Sequence, residues 1–558
     1  MEPHLRQKAS GALKGVQRSK ALAKSIKAQR SPPWPSPPTC ELPAKALADE
    51  LLDCYLRTME TFYRILHVPS FRKCYDALWA PDAEPNTAFV VQVKLVLAIG
   101  ATIYDERFSL RTSAMQWVFE AQTYLSGPEF KARLTIQTLQ TNLLLLLARE
   151  TADVGNELVW ISAGDLLRSA MYMGLHRDPA HLPKRSVFAA EMHRRVWNTI
   201  LELAVRSSIV SGGSPLLSVH DFDTEPPGNF DDDQLLAQDP VPKPEDAYSE
   251  MSVAIALRRT FPDRLAVTKF LNDCGSKGTY EDTLRLDAEL RASYKALRRT
   301  LQGYVFIDGP SPTQFTLRML EFVTQRYLSS LHMPFFGAAL RETAYAYSRK
   351  VVVESSLKLW RAAYPFPSTM AAQPQSAHSF GGDDMARFTV CGSGFLRAFS
   401  FLASFVLCVE IRAQVQEEEG MGGSLRPDLF TVLEEAKAWD LRCIEAGETS
   451  IKGYMFNCVI AAQIDGLMRG VAKEDFPALL VKAAEDAEAT CLPMLEAAAA
   501  EHHSEGATGV TDQLSFESPP DMGEAWDFLM SDSMFNVETA DPMSWGYNDG
   551  SLQEPPLW

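Results

Sequence analysis

Apolar residues recur along most of this chain at intervals of three and four, the spacing that lines one face of an α-helix. Leu51, Leu52, Tyr55, Leu56, Met59, Phe62, Tyr63 and Leu66 form one such stripe and predict a helix ending before Pro69. Further helices are predicted at about 88–103, 109–125 and 130–149. The last contains Leu143 to Leu147, five leucines in a row that only a deeply buried helix tolerates. No stretch alternates as a strand does, and no fixed-period repeat stands out, so the pattern predicts an all-α fold, a large multi-helix bundle.

The chain is organised around residues 156–233, which read as two buried helices and a turn-rich acidic loop. The first opens on Asn156 as N-cap, with Glu157 in the first turn, where the helix dipole favours an anion. Val159, Ala163, Leu166, Ala170 and Met173 make one apolar stripe, and Trp160, Leu167 and Met171 a second beside it, so this helix is packed on several sides. Gly174 closes it and Pro179 keeps it from resuming. The second runs from about Val187 to Val210, with Met192, Val196, Ile200 and Leu203 inward. Glu191 with Arg195, and Glu202 with Arg206, are expected as (i, i+4) charge pairs on its outside. Gly212 and Gly213 stop it, and a loop rich in prolines and carboxylates follows.

Helical patterns return at about 247–259, 281–305, 313–332, 338–364, 386–416, 426–446, 449–470 and 476–500. Ahead of the helical body, Ser31 to Pro38 holds five prolines in eight residues, a stiff spacer and the clearest boundary in the chain. The predicted organisation is a disordered basic head and linker at 1–45, a helical domain at 46–370, a C-terminal helical part of the same body at 371–503, and a disordered acidic–aromatic segment at 504–558.

Charge is sorted along the 558 residues. Residues 1–40 hold eight Lys or Arg against one acid, whereas after Lys482 there are sixteen Asp or Glu and no Lys or Arg. In the basic head, Lys14, Arg18, Lys20, Lys24, Lys27 and Arg30 are candidate contacts to the DNA backbone, salt-sensitive and without base reading. A nuclear import signal, a solvated tail and an organelle presequence are competing readings of the same composition. In the acidic segment, Trp526, Phe528, Leu529, Phe535 and Trp545 stand among carboxylates that keep them solvated, the composition of a transcriptional activation segment whose partner is a groove in a coactivator. An ordinary frayed tail is the alternative. The nine cysteines are scattered, without a CxxC pair, and suit a reducing compartment. The most apolar runs, Phe89–Tyr104 and Phe395–Ile411, contain Lys94, Arg397 and Glu410 and read as core helices of a soluble intracellular protein, with no membrane partner.

Four motifs in order carry a resemblance. Tyr63-Arg-Ile-Leu-His-Val-Pro-Ser-Phe71, Gly174-Leu-His-Arg-Asp178, Glu191-Met-His-Arg-Arg-Val-Trp197, and the run from Asp221-Phe-Asp-Thr-Glu-Pro-Pro227 to Asn229-Phe-Asp-Asp-Asp233 resemble the fungal-specific transcription factor domain. That is the regulatory region found behind the zinc binuclear cluster of fungal regulators, and the likeness covers about residues 46–360. It implies a nuclear regulator of RNA polymerase II transcription for a metabolic or secondary-metabolite gene set. It also implies a possible small-molecule inducer, homo- or heterodimerisation, and DNA reached directly or through a partner regulator. The motif residues expected to matter are Gly174, His176, Arg177, Asp178, Arg194, Arg195, Trp197, Asp221 and Asp223. The six-cysteine cluster itself does not occur in these residues, so no cofactor is expected in this chain, and zinc enters only if such a cluster lies upstream.

Other chemistry finds no footing. His176-Arg177-Asp178 lacks the asparagine, the Asp-Phe-Gly and the glycine-rich loop of a kinase. Arg177 and Asp178 are expected to tie down a helix end and the next turn. Asp221, Asp223, Asp231, Asp232 and Asp233 are expected in a solvated loop, interrupted by Pro226-Pro227 and unlike a calcium site. With no converging nucleophile, base or metal set, an enzyme is not expected. A co-regulator or sequestering partner of another factor is the alternative function.

Overall fold

In the computed structural model the described residues are 10–82, 84–128, 134–155, 158–275, 278–305, 311–364, 383–421 and 426–505. They form helices and turns, with no strand among them. The described residues divide into two compact units, one within 30–327 and 359–400, the other within 10–29, 328–358 and 401–505.

The first unit begins with α2 (Lys45–Leu56), α3 (Met59–Tyr63) and α4 (Val68–Ala77), which follow α1 (Ser10–Arg30) of the other unit. The apolar stripe predicted as one helix is broken at Thr58 and again at Arg64, whose φ of 51° is left-handed. Pro69 starts a helix here and does not end one. His67 caps α4 by accepting from the Ser70 N–H, and the missing N–H of proline costs nothing in a first turn. The same reasoning explains an unpredicted helix at Phe261–Leu271, which also has proline in its first turn.

At the centre lie α5 (Thr87–Tyr104), α6 (Arg111–Leu125) and α7 (Ile136–Ala152). Residues Val90 to Ile103 of α5 are all buried, as are the five leucines of α7. Gly100 lets α5 cross α2 closely, because a Cβ there would lie 2.0 Å from the Leu51 carbonyl oxygen. Lys94 is buried mid-helix, and its Nζ donates to Glu120 at 2.6 Å and to the Thr39 hydroxyl at 2.6 Å. Two stretches, Thr87–Tyr104 and Phe395–Glu417, are long and apolar enough to cross a membrane, yet 78% and 72% of their windows are buried inside the structure.

Around this centre pack α8 (Val159–Tyr172) and α9 (Val187–Ser211), then α10 (Ser252–Arg259), α11 (Phe261–Leu271) and α12 (Tyr280–Val305). Next comes α13 (Gln314–His332); the short α14 (Phe336–Ala339) and most of α15 (Ala346–Ala363) belong to the other unit, and α16 (Asp384–Cys391) to the first. The helix predicted over 386–416 is two helices, α16 and α17 (Phe395–Met421), because Gly392 leaves the helical region and Gly394 takes a φ of 68°. Asn156 and Glu157, and with them the predicted cap of α8, lie outside the described residues.

Residues 10–44, within the stretch predicted as a disordered head and linker, are ordered, and residues 1–9 lie outside the described residues. Residues 31–44 run along α6: Trp34 meets Phe119 edge-on at 6.2 Å, and the Ser36 and Thr39 N–H groups donate to Thr123 and Glu120. In the other unit, α1 buries Val16 and Ile26 in a cluster with Ile444, Ile451, Met455, Val481, Cys491 and Leu495. These residues come from α18 (Pro427–Glu445), α19 (Lys452–Met468), their connection and α20 (Phe476–Glu505). The weak apolar side of α1 is thus held by tertiary burial, which outweighs its marginal stability as an isolated helix.

Candidate functional site

The motif residues converge where α8 ends, α9 runs past it, and residues 212–236 return. Helix α8 stops in a Schellman turn. The Leu175 N–H donates to the Ala170 carbonyl at 2.9 Å and the Gly174 N–H to that of Met171 at 3.0 Å, with Gly174 at φ 85°. That turn aims Asp178 at α9. Its carboxylate accepts from Arg194 Nε at 2.9 Å and Nη2 at 2.8 Å, from the Ala180 N–H at 2.8 Å and from the Glu225 N–H at 3.0 Å. Burial alone would raise the Asp178 pKa, but the Arg194 guanidinium and the two N–H donors outweigh it and hold the carboxyl well below the usual range.

Arg194 also donates to Glu191 at 2.7 Å, and the other Glu191 oxygen accepts from the Gly228 N–H at 2.7 Å. Asp223 completes the knot. Its main-chain N–H donates to the His176 carbonyl at 3.0 Å, and its carboxylate accepts from the Asp178 N–H at 2.7 Å, with His181 at 3.2 Å and Arg177 at 3.4 Å. Those contacts, led by the Asp178 N–H, lower its pKa. His193 Nε2 donates to the Leu175 and Arg177 carbonyls, both at 3.0 Å, so its proton is fixed on that nitrogen. Trp197 is buried edge-on to Phe222 at 5.8 Å, and the Arg258 guanidinium stacks 4.8 Å from the same ring.

A second knot is built on the next residue of α9, about 100° round the helix. Arg195 and Arg64 both pair with Asp232, Arg64 at 3.0 Å, and Arg64 also reaches Glu250 at 2.7 Å. The Val68 N–H donates to Asp232 at 2.8 Å, and His67 Nε2 donates to its carbonyl at 2.9 Å. Despite deep burial, these two guanidinium groups keep the Asp232 pKa low. Beside them Glu60 is buried, accepts from Tyr55 Oη at 2.6 Å and the Leu66 N–H at 2.9 Å, and has its pKa pushed by burial up to about 7.

Two expectations are corrected here. Glu191, Arg195, Glu202 and Arg206 are buried, and none of the (i, i+4) pairs forms outside. Arg195 turns to Asp232, Glu202 meets Arg264 in two bonds of 2.6 Å, and Arg206 pairs with Glu150 and donates to Tyr63 Oη at 2.7 Å. The acidic loop is likewise not uniformly solvated, because Asp232 is buried between arginines while Asp221 and Asp233 are exposed. Asp221 stays apart from the cluster and closes a local turn with Ser218.

Arg64, Glu60, Arg264 and Glu250 were missed as members. The resemblance already contained Arg64 in its first motif, whereas nothing in sequence spacing pairs Arg264 with Glu202, 62 residues away. On α1, Lys14, Arg18, Lys20, Lys24 and Lys27 are all exposed, whereas Val16 and Ile26 are buried; Arg30 is half-buried at its end, and Arg18 pairs with Glu496. Trp526, Phe528, Leu529, Phe535 and Trp545 lie outside the described residues.

Chemically, the arrangement clamps a loop to a helix. Every carboxylate in it faces a guanidinium or a main-chain N–H, and none is left to act as a base. Among the described residues no three or more His, Cys, Asp or Glu side chains gather to hold a metal ion.

Comparison with known proteins agrees with the motifs. Residues 52–259 match the fungal specific transcription factor domain. The chain is 33% identical over 459 residues to the transcription factor opdR of Penicillium oxalicum, covering 77% of this chain and 57% of that one. It is 32% identical over 454 residues to the transcription factor lepE of Aspergillus flavus, covering 78% and 53%. Identity is 27% over 353 residues to the aspyridones cluster regulator apdR of Emericella nidulans, covering 61% and 46%. The chain thus spans about half the length of the curated relatives it matches. No solved structure matches it. The domain and these relatives are those of transcription factors, not of enzymes.

Proposed function

The chain carries a fungal specific transcription factor domain, and on that premise we propose that it is a nuclear regulator of RNA polymerase II transcription serving a secondary-metabolite gene cluster. The observation that carries this reading is the matched domain together with its relatives, one of which is a cluster regulator by name. The clamped motif supports a regulatory body, because a loop fastened by charge-assisted bonds to a core helix has a defined docked state that a small inducer could stabilise or release. The acidic–aromatic residues 504–558, with no Lys or Arg, supply the activator in this reading. The exposed cations of α1 supply a sequence-independent contact to nucleic acid.

The test is a reporter driven by this chain fused to a borrowed DNA-binding domain. Removing residues 504–558, or replacing Trp526, Phe528, Leu529, Phe535 and Trp545 with alanine, is expected to bring the reporter to background. Equal output from the full and shortened chains would sink the activator and favour a co-regulator that works through another DNA-bound factor. That second reading draws on the cysteine spacing, in which no two of the nine lie closer than Cys40 and Cys54.

A further inference from the structure

Helix α8 turns one face to the solvent that resembles neither its buried side nor an ordinary polar surface. Leu158 just ahead of it, then Ile161, Asp165, Arg168 and Tyr172, are all exposed, with Leu158, Ile161 and Tyr172 at 49%, 57% and 76%. At about 100° and 1.5 Å per residue, these five positions form a stripe roughly 80° wide and about 21 Å long. Ser162, Gly164 and Ser169 border it, so nothing bulky stands between the stripe and an approaching backbone. Neither Asp165 nor Arg168 takes part in an ion pair among the described residues. Gly213 packs against the Trp160 ring of α8, a Cβ there lying 2.5 Å away, and Val210 and Leu216, on either side of Gly213 in the chain, are exposed.

We propose that this face binds a second copy of the same chain, through antiparallel pairing of the two α8 helices about a two-fold axis passing between Asp165 and Arg168. The stripe is self-complementary in one register. With the axis midway between those residues, Asp165 of each copy faces Arg168 of the other, and Ile161 of each faces Tyr172 of the other. Every contact is therefore made twice, as an isologous interface requires. A parallel pair, or an antiparallel pair centred on Asp165, sets like charges together and is disfavoured. One acid and one base give the stripe no net charge, which suits neither a nucleic acid nor the acidic C-terminal segment. Stable dimers bury about 800 Å² on each partner, and one helix face with a short apolar rim supplies part of that, so the dimer is expected to be weak, on the order of micromolar.

Sedimentation equilibrium of the full chain over a concentration series tests this. The unaltered chain is expected to show a monomer–dimer equilibrium. Asp165→Arg alone or Arg168→Asp alone should raise the dimer Kd by roughly ten-fold or more, since two attractive pairs become repulsive. The double variant D165R/R168D restores both pairs in reverse and should return the Kd towards its original value. Recovery in the double variant also excludes misfolding as the cause of the single-variant losses. A chain that stays monomeric throughout the series, or a dimer indifferent to the single changes, or single-variant losses that the double variant leaves unrepaired, would each overturn the proposal.

Discussion

Helices α9 and α1 are both rich in charge and treat it in opposite ways. The five charged residues of α9 are two acids and three arginines, and all lie inside or at the edge of the core, each met by a partner from another element. The six cations of α1, unaccompanied by any acid, lie on or near the solvent side of a helix held by a few apolar residues. Burying a charge is costly unless opposite charge and hydrogen bonds meet it, as the mixed-sign sequences around α9 allow, whereas the pair that Arg18 of α1 makes with Glu496 stays at the exposed surface. The presence of charge therefore does not locate a helix face; the availability of an opposite partner does.

The largest way to break the contrast is to orphan a buried charge. Arg264 donates to Glu202 twice, to the Leu257 carbonyl at 3.1 Å and to the Thr260 hydroxyl at 2.9 Å, and is itself buried. Arg264→Ala is expected to lower unfolding free energy by about 3–5 kcal/mol, because Glu202 remains in the core without its counterion. Lys24→Ala on α1 is expected to change it by less than about 0.5 kcal/mol. Urea unfolding of both variants measures the gap, and similar losses would mean that α1 charges contribute as the core ones do.

Much of this was legible and some was not, for identifiable reasons. The apolar periodicities located α5 and α9 to within about a residue, and α7 with its start six residues early, because a buried face leaves a mark every three or four positions. Glu202 and Arg206 read as a surface pair because the (i, i+4) spacing is identical whether solvent or Arg264 and Glu150 await the side chains. Their true partners come from helices distant in sequence, and only folding brings them together. Asp178 and Arg194 were legible through the motif, but their mutual bond was not. Residues 31–44 failed as a free linker because proline stiffness says nothing about whether Trp34 finds a ring to rest on.

A smaller effect sharpens the same contrast through protons. Glu60 is buried near Arg64 and Asp232, with a pKa pushed by burial to about 7 from an ordinary 4.5. Between those values the folded chain holds a proton that the unfolded chain has released, so stability is fully present below about pH 4.5 and lost as pH rises to 7. This group contributes up to roughly 3 kcal/mol of that change. Glu60→Gln cannot ionise and is expected to flatten the slope, read as the difference in urea midpoints between pH 5 and pH 7.5. Parallel slopes in the two proteins would show that Glu60 is already charged when folded.

The smallest effect concerns two glycines of the motif region, one facing open space and one facing the interior. Gly174 holds a φ of 85° in the turn that ends α8, and a Cβ there would meet nothing within 4 Å. Gly174→Ala therefore bears only the backbone cost of a left-handed residue, about 1–2 kcal/mol, with no packing penalty added. Gly213 lies against the Trp160 ring, where a Cβ would fall 2.5 Å from aromatic carbons that must then move. Gly213→Ala should accordingly displace the indole and change its fluorescence, while Gly174→Ala shifts the unfolding midpoint and leaves the emission of Trp160 as it was. An emission change in the Gly174 variant would mean that the turn does not end α8 independently of its surroundings, and that the clamp on Asp178 moves with it.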